Sequence, residues 1–432
     1  MDAHADNLSP ARAHAKCAPA YASAFAAALG VYIAGVSVQL VSGARAIPEP
    51  AWPANIIILA AFVILLIAAH VFAGKTAPVR FLRSVPVAIS AIALVLAQAV
   101  FMGSIRQSSG AGLFGDILHS WPFALTMLYF LTNLGLAALG RVYPFRAGNI
   151  GFLLNHLGLW IALAAGLLGS GDLARLRMQL APGHPEWRAL DSSHGDHAHV
   201  VEMPFAFELK QFEMDVFPAK IALLDTATNK LASPLEIPAP GATFTLGDWN
   251  VTIEQNLSES SYFSDAYHTM PGETGTVPAA RVSAKRNAGR DGSPSRPPND
   301  ATGAFGESAL PENIVGGWIS CGNFANPPAI LELGEGLALA MPEPEAKRYA
   351  SRVEVFTDAQ ERFSATIEVN KPLSLRGWKI YQLSYDERRG RWSQISIVEL
   401  VRDPWLPAVY TGVFMMMAGA VFTMARMRKA NA

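Results

Sequence analysis

The chain has 432 residues, of which 51% are hydrophobic and only 16% charged, and its mean hydropathy is +0.24. This composition excludes a wholly soluble protein with an ordinary ratio of surface to core, so part of the chain must face lipid. The formal net charge of −1 creates no overall field that would attract nucleic acid or an acidic substrate, and no nucleic-acid partner is expected.

Six stretches are apolar and long enough to cross a bilayer as helices, which takes roughly 20 residues each. They cover residues of about 22–43, 54–74, 86–103, 119–140, 150–169 and 406–425. The first is longer than the core of a signal peptide and no convincing small-residue cleavage site accompanies it, so a retained helix is predicted. Residues 1–21 and 426–432 are then a terminal segment and a tail.

Lysine and arginine near the helix ends predict the orientation, because cytoplasmic loops carry an excess of these residues. At one set of helix ends lie Arg12, Lys16, Lys75, Arg80, Arg83, Arg141, Arg146, Arg426, Arg428 and Lys429. The short loops at the opposite ends hold only Arg45 and Arg106. We therefore expect a multi-pass protein of the cytoplasmic (inner) membrane with both termini in the cytoplasm. Residues 171–405 would lie outside, in the periplasm if the cell has two membranes.

The polar segment 171–405 is long enough for a folded domain with its own core, and its patterning is that of β-strands. Apolar and polar residues alternate in residues 205–212, 242–246, 249–253 and 364–369. WKIYQLSY (378–385) and RWSQISIVEL (391–400) flank the turn DERRG, which predicts a hairpin. An antiparallel sandwich or barrel-like fold is expected. Residues of about 284–305, rich in Gly, Pro and Ser, are expected to form a mobile loop.

The sequence carries few signals of enzyme chemistry. Cys17 and Cys321 are too few and too far apart for a disulfide framework, and no Cys-x-x-Cys is present, which excludes a thioredoxin-type reductant and a c-type cytochrome. No Gly-x-Ser-x-Gly elbow or metalloprotease helix occurs, and Asp403 in VRDPW is most simply a turn former. No catalytic residue is predicted.

The apolar run NIGFLLNHLGLWIALAAGLLG (149–169) is interrupted by one polar pair, Asn155 and His156. Ionisable residues inside membrane helices are costly and often functional. From the residues alone, a ligand or proton-relay role for His156 weighs about as much as a hydrogen bond to Asn155 or to a neighbouring helix.

Two further histidines lie near predicted helix ends. His70 precedes Lys75, where an interfacial and partly hydrated imidazole is unexceptional. His119 opens LHSWPFAL, where Ser120 can be the N-cap of a helix, and spacing does not separate that role from a ligand role.

Four more histidines follow the fifth apolar stretch, namely His184, His194, His197 and His199. The last three, with Asp196, have spacings that could hold zinc or copper. The surrounding Ser and Gly indicate a flexible loop, so we interpret them as a solvated cluster and predict no metal site.

Several motifs in series resemble one family. The C-terminal part of the chain is similar to the ResB family of cytochrome c biogenesis proteins (System II, ResB/CcsB type). In that family a VN.PL...G...YQ.SYD strand pair leads through RDP into the last helix. The corresponding runs here are VNKPLSLRGWKIYQLSYD (369–386) and SIVELVRDPWLPAVYTGVFMMMAGA (396–420). The family's first three helices and the strand that opens its soluble domain are similar to FLRSVPVAISAIALVLAQAVFMGSIRQ (81–107), HSWPFALTMLYFLTNLGL (119–136), NHLGLWIALAAGLLGSG (155–171) and VEMPFAFELKQFEMD (201–215).

The resemblance covers residues of about 81–425, with helices in 81–170, and this chain departs from the family at three places. Pro122 stands where a second aromatic residue is common, and the helix pair within 22–74 and the insertion around 284–305 are additional.

The resemblance implies a multi-pass helical membrane protein with a β-rich extracytoplasmic domain inserted before its last helix. It implies a non-autonomous subunit of a System II complex that moves or holds heme b across the membrane and presents it for covalent attachment to apocytochrome c. His156 falls where the family has an axial heme ligand, and His119 and His70 are further candidates for cofactor binding.

The resemblance also implies partners. The first is a ResC/CcsA-type membrane protein, which would carry the tryptophan-rich heme-binding segment that this sequence lacks and supply the second axial ligand. Apocytochrome c would be received by the soluble domain, membrane lipid would surround the helices, and a thioredoxin-like thiol reductant would act indirectly.

Two other classes of function stay open at this point. A scaffold that assembles the heme-handling partner without binding heme would leave His156 dispensable. A transporter or channel is disfavoured, because the helices carry few charges and no matched pair of broken helices.

Overall fold

A computed structural model describes residues 10–43, 45–107, 115–143, 145–191, 199–237, 239–287 and 314–431. The chain divides into two compact units. Residues Met1–Ala174 and Arg402–Ala432 form a helical unit, and Arg175–Val401 form a β-rich unit.

The described part of the helical unit contains seven α-helices. These are α1 (Pro10–Val41), α2 (Ala54–Ala73), α3 (Ala77–Leu82), α4 (Val85–Ser104), α5 (Trp121–Val142), α6 (Ile150–Gly169) and α7 (Leu406–Asn431). All except the short α3 are long and apolar enough to cross a membrane, which confirms the number and positions of the six predicted stretches. Short 3₁₀ turns, Ala147–Asn149 and Ser170–Asp172, flank α6.

The start of α5 differs from the prediction. The helix begins at Trp121 rather than at residue 119, because the Ser120 hydroxyl accepts a hydrogen bond from Phe123 N (3.4 Å) and acts as the N-cap. Pro122 fits in the first turn, where no backbone N–H is needed. His119 therefore lies in the loop before the helix.

Helix α5 is central, with more than half of its span buried. Its Asn133 side chain is 2% exposed and donates hydrogen bonds to the carbonyl oxygens of Leu82 (2.6 Å) and Ser84 (3.2 Å). These two bonds hold the link between α3 and α4 against α5 on both sides of Arg83.

Glycines let α6 and α7 pack backbone against backbone. A Cβ atom on Gly158 would lie 2.5 Å from the carbonyl oxygen of Gly412, and one on Gly151 would lie 2.5 Å from Thr423 Oγ1. Small residues at such crossings are the usual basis of helix association in a membrane. The interface holds the start of α6, which carries His156, in one position against α7.

The described part of the β-rich unit is built from antiparallel strands. They are β1 (Ala174–Leu180), β2 (Glu186–Asp191), β3 (His199–Val216), β4 (Lys220–Asp225), β5 (Lys230–Glu236), β6 (Thr243–Leu246), β7 (Trp249–Phe263), β8 (Ala266–Thr269), β9 (Val277–Arg286), β10 (Ile314–Ser320), β11 (Leu331–Gly334), β12 (Leu337–Ala340), β13 (Ala346–Thr357), β14 (Arg362–Glu368), β15 (Leu373–Leu375), β16 (Trp378–Tyr385) and β17 (Ser396–Arg402).

These strands form three sheets. One has eight strands in the order β14-β13-β3-β2-β1-β17-β16-β15. A five-stranded sheet, β10-β9-β7-β6 with β8 beside β7, and a four-stranded sheet, β11-β12-β4-β5, share one hydrophobic core. Ile221, Val251, Ile253 and Leu339 are fully buried in that core, which is consistent with a sandwich, one of the two fold classes expected from the strand pattern.

Two predicted features of this unit need correction. The hairpin of β16 and β17 is present, with Lys379 opposite Val401, but its second strand begins at Ser396 because residues Gly390–Trp392 form a 3₁₀ turn. The predicted loop at 284–305 is partly wrong, since β9 extends to Arg286. Residues 288–313 lie outside the described part of the chain.

Candidate functional site

His156 lies in the second turn of α6 and is half-buried. Its Nδ1 is 2.9 Å from the carbonyl oxygen of Phe152, four residues earlier. A carbonyl oxygen can only accept, so Nδ1 carries the proton and the lone pair of the neutral ring is on Nε2. Among the described residues, His156 does not form the hydrogen bond to Asn155 or to another helix that the sequence left open.

This hydrogen bond suits an imidazole that binds a metal ion. Histidine ligands usually donate the second ring N–H to a carbonyl or carboxylate, which sets the tautomer and the ring orientation. In the described residues no hydrogen bond to Nε2 of His156 is present. The nitrogen with the lone pair is therefore available to a ligand.

An aromatic and a guanidinium group are layered on the imidazole. The Phe152 ring stacks on His156 with 3.5 Å between ring centroids and 23° between planes. The Arg141 guanidinium carbon lies 3.8 Å from the centroid of the same Phe152 ring, a favourable cation–π distance. The stack places a fixed positive charge one ring away from His156.

His156 lines a cavity of about 480 Å³ formed by α4, α5, α6, the α3–α4 link and Met416 of α7. Its polar lining residues are Arg83, Ser84, Asn133, Arg141, Asn155 and His156, and the rest of the lining is largely apolar. Cavities of this size with a few convergent polar groups suit small-molecule and cofactor ligands. An apolar ligand that needs one nitrogen donor and carries negative charge matches this lining.

The other two candidate histidines do not line this cavity. His70 lies in the last turn of α2, and its Nδ1 is buried with no hydrogen-bond partner in the described residues. His119 lies between two carboxylates, with Nδ1 2.6 Å from Asp116 Oδ1 and Nε2 2.7 Å from Glu49 Oε1. Both of its ring nitrogens are occupied in this conformation.

The charge environment of His119 favours the imidazolium form. Partial burial lowers its pKa, but the hydrogen bonds to Glu49 and Asp116 outweigh that effect, and the pKa is raised above the ordinary 6.5. The residue therefore acts as a cationic bridge between the α1–α2 loop and the loop before α5.

Of the remaining histidines, His194 and His197 lie outside the described residues. His199 begins β3 opposite Asp191, and His184 forms an isolated bridge with Ala181. The described residues contain no group of three or more His, Cys, Asp or Glu side chains that could hold a metal ion.

A hydrogen-bonded cluster around Asp172 ties three helices of the helical unit together, and the sequence did not point to it. Asp172 Oδ2 accepts from Asn55 Nδ2 and Trp405 Nε1, each at 2.7 Å, and Oδ1 accepts from Trp52 N at 2.7 Å. Asp403 accepts from two backbone N–H groups at the start of α7, which fits the turn-forming role predicted for it.

A cavity in the β-rich unit has a volume of about 700 Å³ and includes Cys321, Phe324 and Trp392 in its lining. Cys321 is a free thiol. Burial, with a smaller contribution from Glu343, raises the pKa of Cys321 to about 11. This thiol is therefore protonated near neutral pH and is a poor nucleophile.

Residues 340–398 match the family model described as the ResB-like family. This match supports a ResB-like assignment. The matched segment runs from the end of β12 through β16 into β17, and it contains the VN.PL...YQ.SYD motif recognised in the sequence. A ResB-like assignment implies involvement in cytochrome c biogenesis. Among curated proteins, none matches this chain.

The sequence did not identify Arg83, Arg141 or Phe152 of the His156 cavity as site residues. Arg83 and Arg141 were used only to predict orientation, and Phe152 was an ordinary apolar position. The spacing of four residues between Phe152 and His156 was the available signal, because it places one above the other on a helix. The arginines gave no such signal, since they are far from His156 in sequence.

Proposed function

We propose that this chain is the ResB-like subunit of a System II cytochrome c biogenesis complex and that it holds heme b through His156. The observation that carries the proposal is the orientation of the imidazole. Nδ1 is engaged by the Phe152 carbonyl oxygen, and Nε2 is left for iron in the cavity of about 480 Å³.

The residues present fit heme on three counts. A neutral imidazole nitrogen is a common axial ligand of heme iron. The lining is mostly apolar, as a porphyrin ring requires, and the Phe152 side chain is part of it. Two guanidinium groups, Arg83 and Arg141, supply the positive charge that a dianionic heme needs. Bound heme would supply an iron centre for axial ligation and vinyl groups for thioether formation.

The chain's own contribution is to bind and orient. His156 provides one nitrogen, the bond to Phe152 prevents rotation of the ring, and the glycine contacts between α6 and α7 keep the helix in place. The proposal places the six helices in the cytoplasmic membrane with both termini inside and the β-rich unit outside. A ResC/CcsA-type partner supplies the second axial ligand and completes attachment to apocytochrome c.

The test is the visible absorption spectrum of the purified full chain, alone and with its ResC/CcsA-type partner, for wild type and His156→Ala. We expect a reduced-heme spectrum in the wild-type complex that is lost in the variant and restored by added imidazole. His70→Ala and His119→Ala are the matched controls, because neither residue lines the cavity, and both should keep the wild-type spectrum.

An unchanged spectrum in His156→Ala would leave the chain as a scaffold that organises its partner without ligating heme. Loss of heme in His70→Ala or His119→Ala instead would identify that histidine as the axial ligand.

A further inference from the structure

We infer that Arg83 and Arg141 form the anion-binding part of the His156 cavity and that they bind the two propionate carboxylates of the heme. This inference rests on the proposed function and extends it to the residues that fix the ligand's second end. It is carried by the distribution of charge, by the contacts of the two arginines, and by the lack of an acidic partner for either arginine in the described residues.

The charge distribution of the helical unit is uneven. In residues 54–171 the sequence contains one acidic residue, Asp116, and in residues 404–432 it contains none. Asp116 is hydrogen-bonded to His119, before the first residue of α5, whereas Arg141 lies in the last turn of that helix. The 22-residue length of α5 corresponds to about 33 Å between these two ends. Within residues 54–171 and 404–432, no carboxylate therefore lies at the end of α5 that carries Arg141.

Packing places both arginines in the lining of one cavity. A Cβ atom on Gly140 would lie 3.6 Å from Arg83 Nη1, so the Arg83 side chain lies against the residue adjacent to Arg141. Asn133 holds the backbone on both sides of Arg83. The contact of Arg141 with Phe152 holds the second guanidinium above the aromatic ring next to His156.

In the described residues neither Arg83 nor Arg141 forms an ion pair with a carboxylate. Two neighbouring positive charges repel each other, and at a membrane interface that repulsion is weakly screened. Planar guanidinium groups recognise carboxylates through paired, charge-assisted hydrogen bonds. A ligand with two carboxylates at one edge and an iron atom at its centre satisfies both arginines and His156 at once.

The experiment compares hemin with hemin dimethyl ester, in which both carboxylates are neutral. The full chain is placed in nanodiscs of zwitterionic lipid, imidazole is added as the second axial ligand, and binding is followed by absorption. We expect wild type to bind hemin at least tenfold more tightly than the ester, since each charge-assisted contact contributes on the order of tenfold. This comparison needs no substitution and does not depend on the folding of a variant.

The variants are Arg83→Gln, Arg141→Gln and their combination, with Arg80→Gln as the matched control. Arg80 lies on α3, the short helix that ends just before Arg83, and carries the same charge, but it does not line the cavity. Hemin affinity should fall about tenfold in each single variant and approach ester affinity in the double variant. The ester should bind all forms alike, and the spectrum of bound hemin should keep its imidazole-ligated form.

Equal affinity of wild type for hemin and the ester overturns the inference while leaving His156 as a heme ligand. An equal loss of hemin affinity in Arg80→Gln also overturns it, because the effect is then general electrostatics. A further arm uses nanodiscs that contain anionic lipid. If the double variant retains less of this lipid than wild type, and wild type does not discriminate between hemin and the ester, the arginines bind lipid headgroups instead. Failure of wild type to bind either compound refutes the proposed function itself.

Discussion

Gln382 lies in a buried polar cluster of the eight-stranded sheet, within the ResB-like segment. Ser351 Oγ is 2.7 Å from both Gln382 Oε1 and Ser396 Oγ, and Gln382 Nε2 donates to the Ser384 carbonyl oxygen at 2.9 Å. The side chains of Ser351, Gln382 and Ser396 are at most 5% exposed. The cluster joins β13, β16 and β17, so the glutamine of the YQ.SYD motif has a structural role.

Replacing Gln382 with leucine tests this role. The change leaves the Ser384 carbonyl oxygen without this donor and deprives two buried hydroxyls of an amide partner. Leaving buried polar groups unsatisfied costs about 1–3 kcal/mol, and we expect a loss of about 2 kcal/mol in the free energy of unfolding. Adding Ser351→Ala and Ser396→Ala removes the stranded hydroxyls, so the triple variant should be more stable than Gln382→Leu.

The assay is urea unfolding of the full chain in detergent, with pulse proteolysis reporting on the β-rich unit. With a slope of about 3 kcal/mol per M urea, the midpoint of Gln382→Leu should fall by roughly 0.7 M. Ser364→Ala, an exposed serine on β14 of the same sheet, should change stability by less than about 0.5 kcal/mol. A wild-type midpoint for Gln382→Leu, or a triple variant less stable than the single one, would refute the reasoning.

Three further predictions concern packing, reactivity and pH. Gly412→Ala should lower the thermal stability of the detergent-solubilised chain by about 1–3 kcal/mol, because its Cβ would meet the α6 backbone, whereas Gly166→Ala, with open space around it, should not destabilise. In a Cys17→Ser background, Cys321 should react with iodoacetamide at pH 8 about 100-fold more slowly than a thiol of pKa 9. The reason is that its pKa of about 11 leaves about 100-fold less thiolate. Equal reaction rates before and after unfolding would contradict the burial argument. Because the pKa of His119 is raised in the folded state, its imidazolium stabilises the fold fully below pH 6.5, and this contribution should be lost as pH rises through the folded pKa. His119→Gln should flatten that part of the profile of melting temperature against pH. An unaltered profile would show that the imidazolium is not the stabilising form.

The broad architecture could be predicted from the sequence because it depends on solvent. A helix that crosses a membrane must be apolar along its whole length, and a half-buried strand must alternate, so both patterns are local. The six helices and the hairpin before α7 followed from these patterns. Boundaries were less accurate where side chains decided them, as at the start of α5, where the Ser120 hydroxyl ends the loop.

The candidate site depended on tertiary structure. The sequence singled out His156, but only the folded chain determines that its Nδ1 bonds to Phe152 and that Nε2 is left for a ligand. Arg83 and Arg141 line the same cavity because the α3–α4 link packs against Asn133 and Gly140 of α5. Such arrangements arise from side-chain packing between segments far apart in the chain, so no local periodicity of the sequence predicts them.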